Sequence, residues 1–169
     1  MDLITGLDKL KKDSAEILKW IEYMRSLNDK LDDYLANQRK EWGEKMSPLY
    51  EQLNSNPELL IDVQATALSY RQVVCDEINM FLSKLSKETP KLKQAKAERF
   101  IFYSTGYGLK TTAGEKSMLF DAELAQYERH VGLLQIHIDF LRECRSNCDN
   151  IGYAIKNRLS LFAYLTSPR

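Results

Sequence analysis

Three stretches of this chain carry apolar residues at alternating steps of three and four, and that spacing dictates long helices. In the first, Leu7, Leu10, Ser14, Ile17, Ile21, Met24, Asn28, Leu31, Leu35, Gln38 and Trp42 fall on one seam. This is the a/d stripe of a coiled coil with three polar interruptions. Mostly charged residues lie between, so only one stripe seeks burial. A helix of about 40 residues would be about 60 Å long at 1.5 Å per residue. That is too long to bury itself within a compact globule of 169 residues. A coiled coil, within the chain or between chains, is the natural outlet. Asn28, at a core position, is placed to fix register or to meet a partner's polar group.

The stretch "MSPLYEQLNSNPELL" interrupts this pattern. It ends the first helix near residue 45, with Asn54, Ser55 and Asn56 as capping residues. A second helix is expected over 57–101, opening on Pro57, a residue suited to the first helical position. Its stripe is Leu60, Val63, Ala67, Tyr70, Val74 and Phe81, widened by Leu59, Val73, Ile78, Leu82 and Leu85. Pro90 should kink or end it. Residues 104–114, with Gly106, Gly108, Gly114, Thr111 and Thr112, read as a loop. A third helix over 115–165 has the longest seam: Phe120, Leu124, Tyr127, Val131, Leu134, Ile138, Leu141, Arg145, Cys148, Gly152, Ile155, Leu159 and Phe162. A helical glycine costs about 1 kcal/mol relative to alanine, so Gly152 suggests a close helix crossing. The fold class is therefore all-α: a coiled-coil-like bundle of long helices, with one Gly/aromatic loop, in a single domain spanning 1–169.

Seven glycines, four prolines and 44% hydrophobic residues fit ordered helices rather than a disordered tail. Three cysteines, Cys75, Cys144 and Cys148, make no disulfide framework and suit a reducing, cytoplasmic setting. "MDLITGLDKLKKD" contains no signal-peptide pattern, and no segment approaches the apolar length of a membrane span. A soluble protein that does not contact membranes is expected.

The net charge is zero, which excludes a uniformly basic coat for nucleic acid. The charge is nevertheless divided. Residues 31–83 hold nine acids and four bases, a net of −5, whereas residues 84–116 hold eight bases and three acids, a net of +5. The flanks balance. The basic segment contains "RFIFYSTGYG", four aromatics and two glycines in ten residues. Cations interleaved with exposed rings suit single-stranded nucleic acid: the cations neutralise phosphate, and the rings stack on unpaired bases. Lys93, Lys96, Arg99 and Lys110 are the expected phosphate contacts, and Phe102, Tyr103 and Tyr107 the expected base contacts. The competing reading makes Phe100, Phe102, Tyr103 and Tyr107 a hydrophobic plug at a helix junction and the lysines a solvated face.

Other constellations carry less. Cys144 and Cys148 share a helix face, with His137 seven residues before Cys144, but closed zinc sites use two ligand pairs. Cys148 lies on the apolar seam and reads as a small buried hydrophobe. His130 reads as a surface histidine. No triad order, zinc-protease motif or phosphate-binding loop appears, so the chain is read as non-enzymatic, with no metal or cofactor.

"ERFIFYSTGYG", then "MLFDAEL", then "HIDFLRECRSNCDNIGYAIKNRLSLFAYL" resemble, over about residues 95–163, the UvsY-type recombination mediators of T-even-like phages. In that family an Arg precedes an aromatic turn. A long C-terminal helix follows, ending in Ile-x-x-Arg and Ile-Lys patterns before a final aromatic. The resemblance implies a single-stranded-DNA-binding protein that forms ring-like homo-oligomers. It also implies a partner role: helping a RecA-like recombinase displace single-strand-binding protein in the bacterial host cytoplasm. The family's Lys-x-Arg DNA contact is matched at Arg99, while Ala97 stands at the lysine position and Lys96 lies about 100° away on a helix. The alternative is a structural, scaffolding or chaperone-like coiled-coil protein.

Overall fold

The structure, a computed structural model, describes the backbone of residues 3–105 and 112–167. Side chains are described within those ranges from residue 15 onward, except 104, 105, 113, 115–117, 119 and 120. Among the described residues the fold is all-α, 97% helical, with no strand. Helix α1 spans Leu3–Glu51, a 3-10 turn spans Gln52–Asn54, α2 spans Pro57–Thr105 and α3 spans Ala113–Thr166.

Pro48, expected to bracket a turn after the first helix, lies inside α1, and α2 runs through Pro90 as its expected span of 57–101 does. Each proline removes one i→i−4 hydrogen bond, at a typical cost of about 3 kcal/mol. Past Pro48 the reason is visible. The seam continues through Met46 and Leu49, both buried, so the last turn of α1 has apolar surface to cover. The start of α2 follows the sequence closely. Asn56 is the N-cap, its side-chain oxygen accepting the Leu59 N–H at 3.0 Å, with Pro57 at the first helical position. Of the loop expected over 104–114, residues 104, 105, 113 and 114 are helical, since Thr105 closes α2 and Ala113 opens α3, and 106–111 lie outside the described residues.

The chain divides into two compact units, each using a part of all three helices. Unit 1 comprises Met1–Asp33 and Lys84–Leu134, and unit 2 comprises Tyr34–Ser83 and Gln135–Arg169. In both, α1 packs on α3 of the same chain.

Unit 2 has a continuous apolar core. Met46 and Leu49 of α1, Leu60, Val63 and Ala67 of α2, and Cys148, Ile151 and Ile155 of α3 form one buried cluster. Trp42 is also buried. It meets Tyr70 edge-on with ring centroids 5.9 Å apart, and its indole N–H donates to Glu77 at 3.1 Å. His137 is buried against Phe81, 4.5 Å between centroids. Arg158 of α3 donates to the Leu53 carbonyl and the Asn54 side chain, closing the 3-10 turn.

The α3 seam departs from its expected register. Core positions run Leu141, Cys144, Cys148, Ile151, Ile155, so Cys144 and Ile151 replace Arg145 and Gly152. The two orders of three and four differ only in which neighbour turns inward, and the apolar member of each pair wins. Gly152 consequently sits off the core, and a Cβ there would meet nothing within 4 Å. No close helix crossing accounts for this glycine. Burial pushes the Cys144 thiol up to about 11, with the neighbouring Cys148 adding to it. That is the behaviour of a packed thiol rather than a reactive one.

Unit 1 is held differently. Asn28 is fully buried. Its amide donates to the Gln126 backbone carbonyl at 2.7 Å, and its oxygen lies 3.0 Å from His130 Nδ1. The polar position on the α1 seam is thus satisfied within the chain. His130, expected on the surface, is half-buried, and burial lowers its pKa from the ordinary 6.5 while Glu88 partly opposes that. Arg129 reaches Asp29 at 3.1 Å and Asp32 at 3.5 Å. The Tyr127 hydroxyl donates to Glu88 at 2.7 Å. Burial, and then that bond, raise the tyrosine's pKa, whereas hydrogen bonds from Lys91 and Tyr127 lower that of Glu88 against the effect of its burial.

Candidate nucleic-acid interface

All five described residues of the predicted site lie on the last turns of α2, in unit 1. Tyr107 and Lys110 lie outside the described residues. Helical geometry separates the five. Residues at 92, 95, 96, 99, 102 and 103 are half-buried, whereas 93, 94, 97, 98, 100 and 101 are exposed. This is the 3.6-residue period of one face turned to neighbouring helices.

The inward group is paired with acids. Lys96 is bound to Glu128, and this hydrogen bond holds its ammonium above the usual range. Arg99 Nε lies 3.3 Å from Glu123, and its guanidinium sits 5.4 Å over the Phe102 ring. The Tyr103 hydroxyl donates to the same Glu123. Phe102 and Tyr103 meet edge-on, centroids 5.2 Å apart. Two predicted phosphate contacts and two predicted base contacts thus converge around two carboxylates of α3.

The groove that Arg99 and Phe102 line is not basic. A hollow of about 530 Å³ is bounded by Ile17, Trp20, Ala95, Glu98, Arg99, Phe102, Glu123, Leu124 and Tyr127. It holds two carboxylates and one guanidinium. Trp20 and Tyr127 meet edge-on in its wall at 6.1 Å. The sequence reading missed Trp20, Glu123, Glu128 and Tyr127 as neighbours of the site. Trp20 was legible, since it lies between Ile17 and Met24 at helical spacing. The glutamates were hidden in a flank whose charges cancel.

The outward group is different. Lys84, Lys87 and Lys91 stand at i, i+3 and i+7, which places them along one stripe of α2, and all are exposed. Lys91 also pairs with Glu88 at 2.8 Å, an exposed i, i+3 contact of small energetic weight. Lys93 and Phe100, seven residues apart, share a different stripe, on the other side of the exposed surface of α2, because Lys93 stands about 200° from Lys91 around the helix. Phe100 is 49% exposed and Ile101 59% exposed. Of the predicted contacts, Lys93 belongs to this outward surface.

Among the described residues, no group of three or more His, Cys, Asp and Glu is placed to hold a metal ion. Within the same residues, no helix is long and apolar enough to cross a membrane. Compared with known proteins, the chain matches no family model, no curated protein and no solved structure.

Proposed function

We propose that this protein is a non-enzymatic, single-stranded-DNA-binding recombination mediator, acting in the cytoplasm as a homo-oligomer. The observation that supports this reading is the outward face of α2. Lys84, Lys87 and Lys91 form one exposed stripe of the helix, and Lys93 with Phe100 forms a second on the other side of its exposed surface. The first stripe can neutralise consecutive phosphates, and the second can pair a phosphate contact with a ring that stacks on a base. One copy would bind weakly, and several copies in a ring would bind by linked contacts whose effect multiplies. The family resemblance of residues 95–163 supplies the rest of the proposal: a RecA-like recombinase and single-strand-binding protein as partners, and a phage-encoded origin. On this reading Lys93 and its outward neighbours make the first phosphate contacts. Lys96 and Arg99 join only when Glu128 and Glu123 release them.

The test is fluorescence anisotropy of labelled oligo-dT titrated with the protein at several salt concentrations. Binding at about micromolar or tighter, falling steeply with salt, is expected for a lysine-dominated contact. Absence of binding at low salt contradicts the reading.

A second reading has its own observation. Lys96, Arg99, Phe102 and Tyr103 are tied to α3 through Glu123 and Glu128. That is the arrangement of a junction that packs rather than one that grips a strand. A scaffolding or chaperone-like helical protein without nucleic-acid binding would use them so, and the same titration separates the two.

A further inference from the structure

The groove of unit 1 has a chemistry opposite to that of the outward face of α2. Its larger hollow, about 530 Å³, and a second of about 410 Å³ share Ile17, Trp20, Arg99 and Phe102. Both lie in the range of about 300–1,000 Å³ in which proteins hold small ligands and anchoring side chains. Among the described residues, its charged lining is three carboxylates, Glu16, Glu98 and Glu123, and the one guanidinium of Arg99. Its walls are aromatic, with Trp20 half-buried and facing the same space as Tyr127. Phosphate is repelled from such a place. A planar cation is not: it can stack on an indole face and donate to a carboxylate at its edge.

The groove already contains one example. The Arg99 guanidinium lies over the Phe102 ring while its Nε faces Glu123 at 3.3 Å. Trp20, Glu16 and Glu98 offer the same pairing, an aromatic face with carboxylates beside it, to a cation from outside. Glu16 and Glu98 are exposed, so an incoming group reaches them without unfolding the unit.

We propose that this groove is a protein-docking site that takes an arginine of a basic peptide segment on a partner. The arginine's guanidinium would lie on Trp20 and donate to Glu98 and Glu16. Charge complementarity and aromatic stacking favour this occupant, whether or not the outward face of α2 binds DNA. Arginine fits better than lysine because its flat, weakly hydrated head both stacks and forks to carboxylates.

Trp20 reports on the proposal directly. The chain has two tryptophans, and Trp42 is buried in unit 2 with its N–H held by Glu77. The full chain would be titrated, at low salt, with a short arginine-rich peptide, an aspartate-substituted counterpart and oligo-dT, following tryptophan emission. The arginine peptide should change the emission saturably, and the change should vanish in Trp20→Phe. Glu16→Gln with Glu98→Gln keeps the reporter and alters only exposed positions. It should weaken the peptide by about tenfold, the equivalent of about 1.4 kcal/mol. No emission change with the arginine peptide overturns the proposal, as does an equal response to the aspartate peptide or unchanged affinity in the double variant. A Trp20 response to oligo-dT but not to the peptide overturns it in favour of a nucleic-acid groove.

Discussion

The two units are built from the same three helices yet held by different forces. Of the 20 buried hydrophobic side chains among the described residues, 16 lie in unit 2 and only Met24, Leu124, Leu133 and Leu134 lie in unit 1. Among the described side chains of unit 1, paired polar groups are prominent: Asn28 with His130 and Gln126, Tyr127 with Glu88, Arg129 with Asp29 and Asp32. Apolar burial is non-directional and gives most of the stability of a fold. Buried polar pairs contribute little net energy, but they penalise every arrangement that leaves a partner unmatched. The difference teaches that one helical pattern can supply stability in one stretch and geometric definition in another. The candidate surfaces, basic outside and acidic within, both belong to the polar unit.

The largest expected effect lies in unit 2. Leu141→Ala, at a position with no exposure, should destabilise the protein by about 2–5 kcal/mol through lost burial and a residual cavity. Urea unfolding measures it. In unit 1, Asn28→Ala should cost about 1–3 kcal/mol, because a buried hydrogen-bonding partner of His130 is removed. If Asn28→Ala costs more than Leu141→Ala, the comparison is inverted.

A smaller and opposite effect is expected at the glycines. Gly132 in unit 1 and Gly152 in unit 2 are both helical, and a Cβ at either meets nothing within 4 Å. Replacing each by alanine should stabilise by about 0.5–1 kcal/mol, equally in both units, since the gain comes from backbone entropy rather than from packing. A loss at Gly132 alone would point to a role for that surface.

The smallest effect is a pH dependence confined to unit 1. The pKa of His130 is lowered in the folded state, so the unfolded chain binds the proton more readily. Stability is therefore unaffected above the ordinary value of 6.5. It falls as pH drops below 6.5 and levels off once pH passes below the folded value. His130→Gln should remove that component from unfolding curves measured between neutral and mildly acidic pH. Glu88 acts in a lower window: its lowered pKa makes its contribution fade below the ordinary 4.5, as the carboxylate protonates.

How much of this was readable from the sequence differs along the chain. The seam residues Met24, Asn28, Leu35 and Trp42 are buried as their spacing dictates, and Asn56–Pro57 marks the start of α2. Local chemistry decided these. Pro48 does not end α1 because breaking a helix costs a few kcal/mol, an amount that tertiary packing of a continuing seam can offset. The α3 register was misread because a heptad template ignores which of two adjacent residues is apolar, and Cys144 and Ile151 outcompete Arg145 and Gly152. The basic segment was legible as a total but not as two faces. The sequence shows that Lys93, Lys96 and Arg99 are close, whereas only the placement of Glu123 and Glu128 on α3 shows which of them already have partners.

The division between those faces can be tested by one comparison. Oligo-dT binding would be measured across a salt series for the unaltered protein and for Lys87→Ala/Lys91→Ala/Lys93→Ala. Each phosphate contact to a single strand contributes about 0.7 to the slope of log affinity against log salt. The account predicts weaker binding and a slope shallower by about two. An unchanged affinity and slope in the triple variant, with binding intact, would contradict it and return the contact to the inward face of α2.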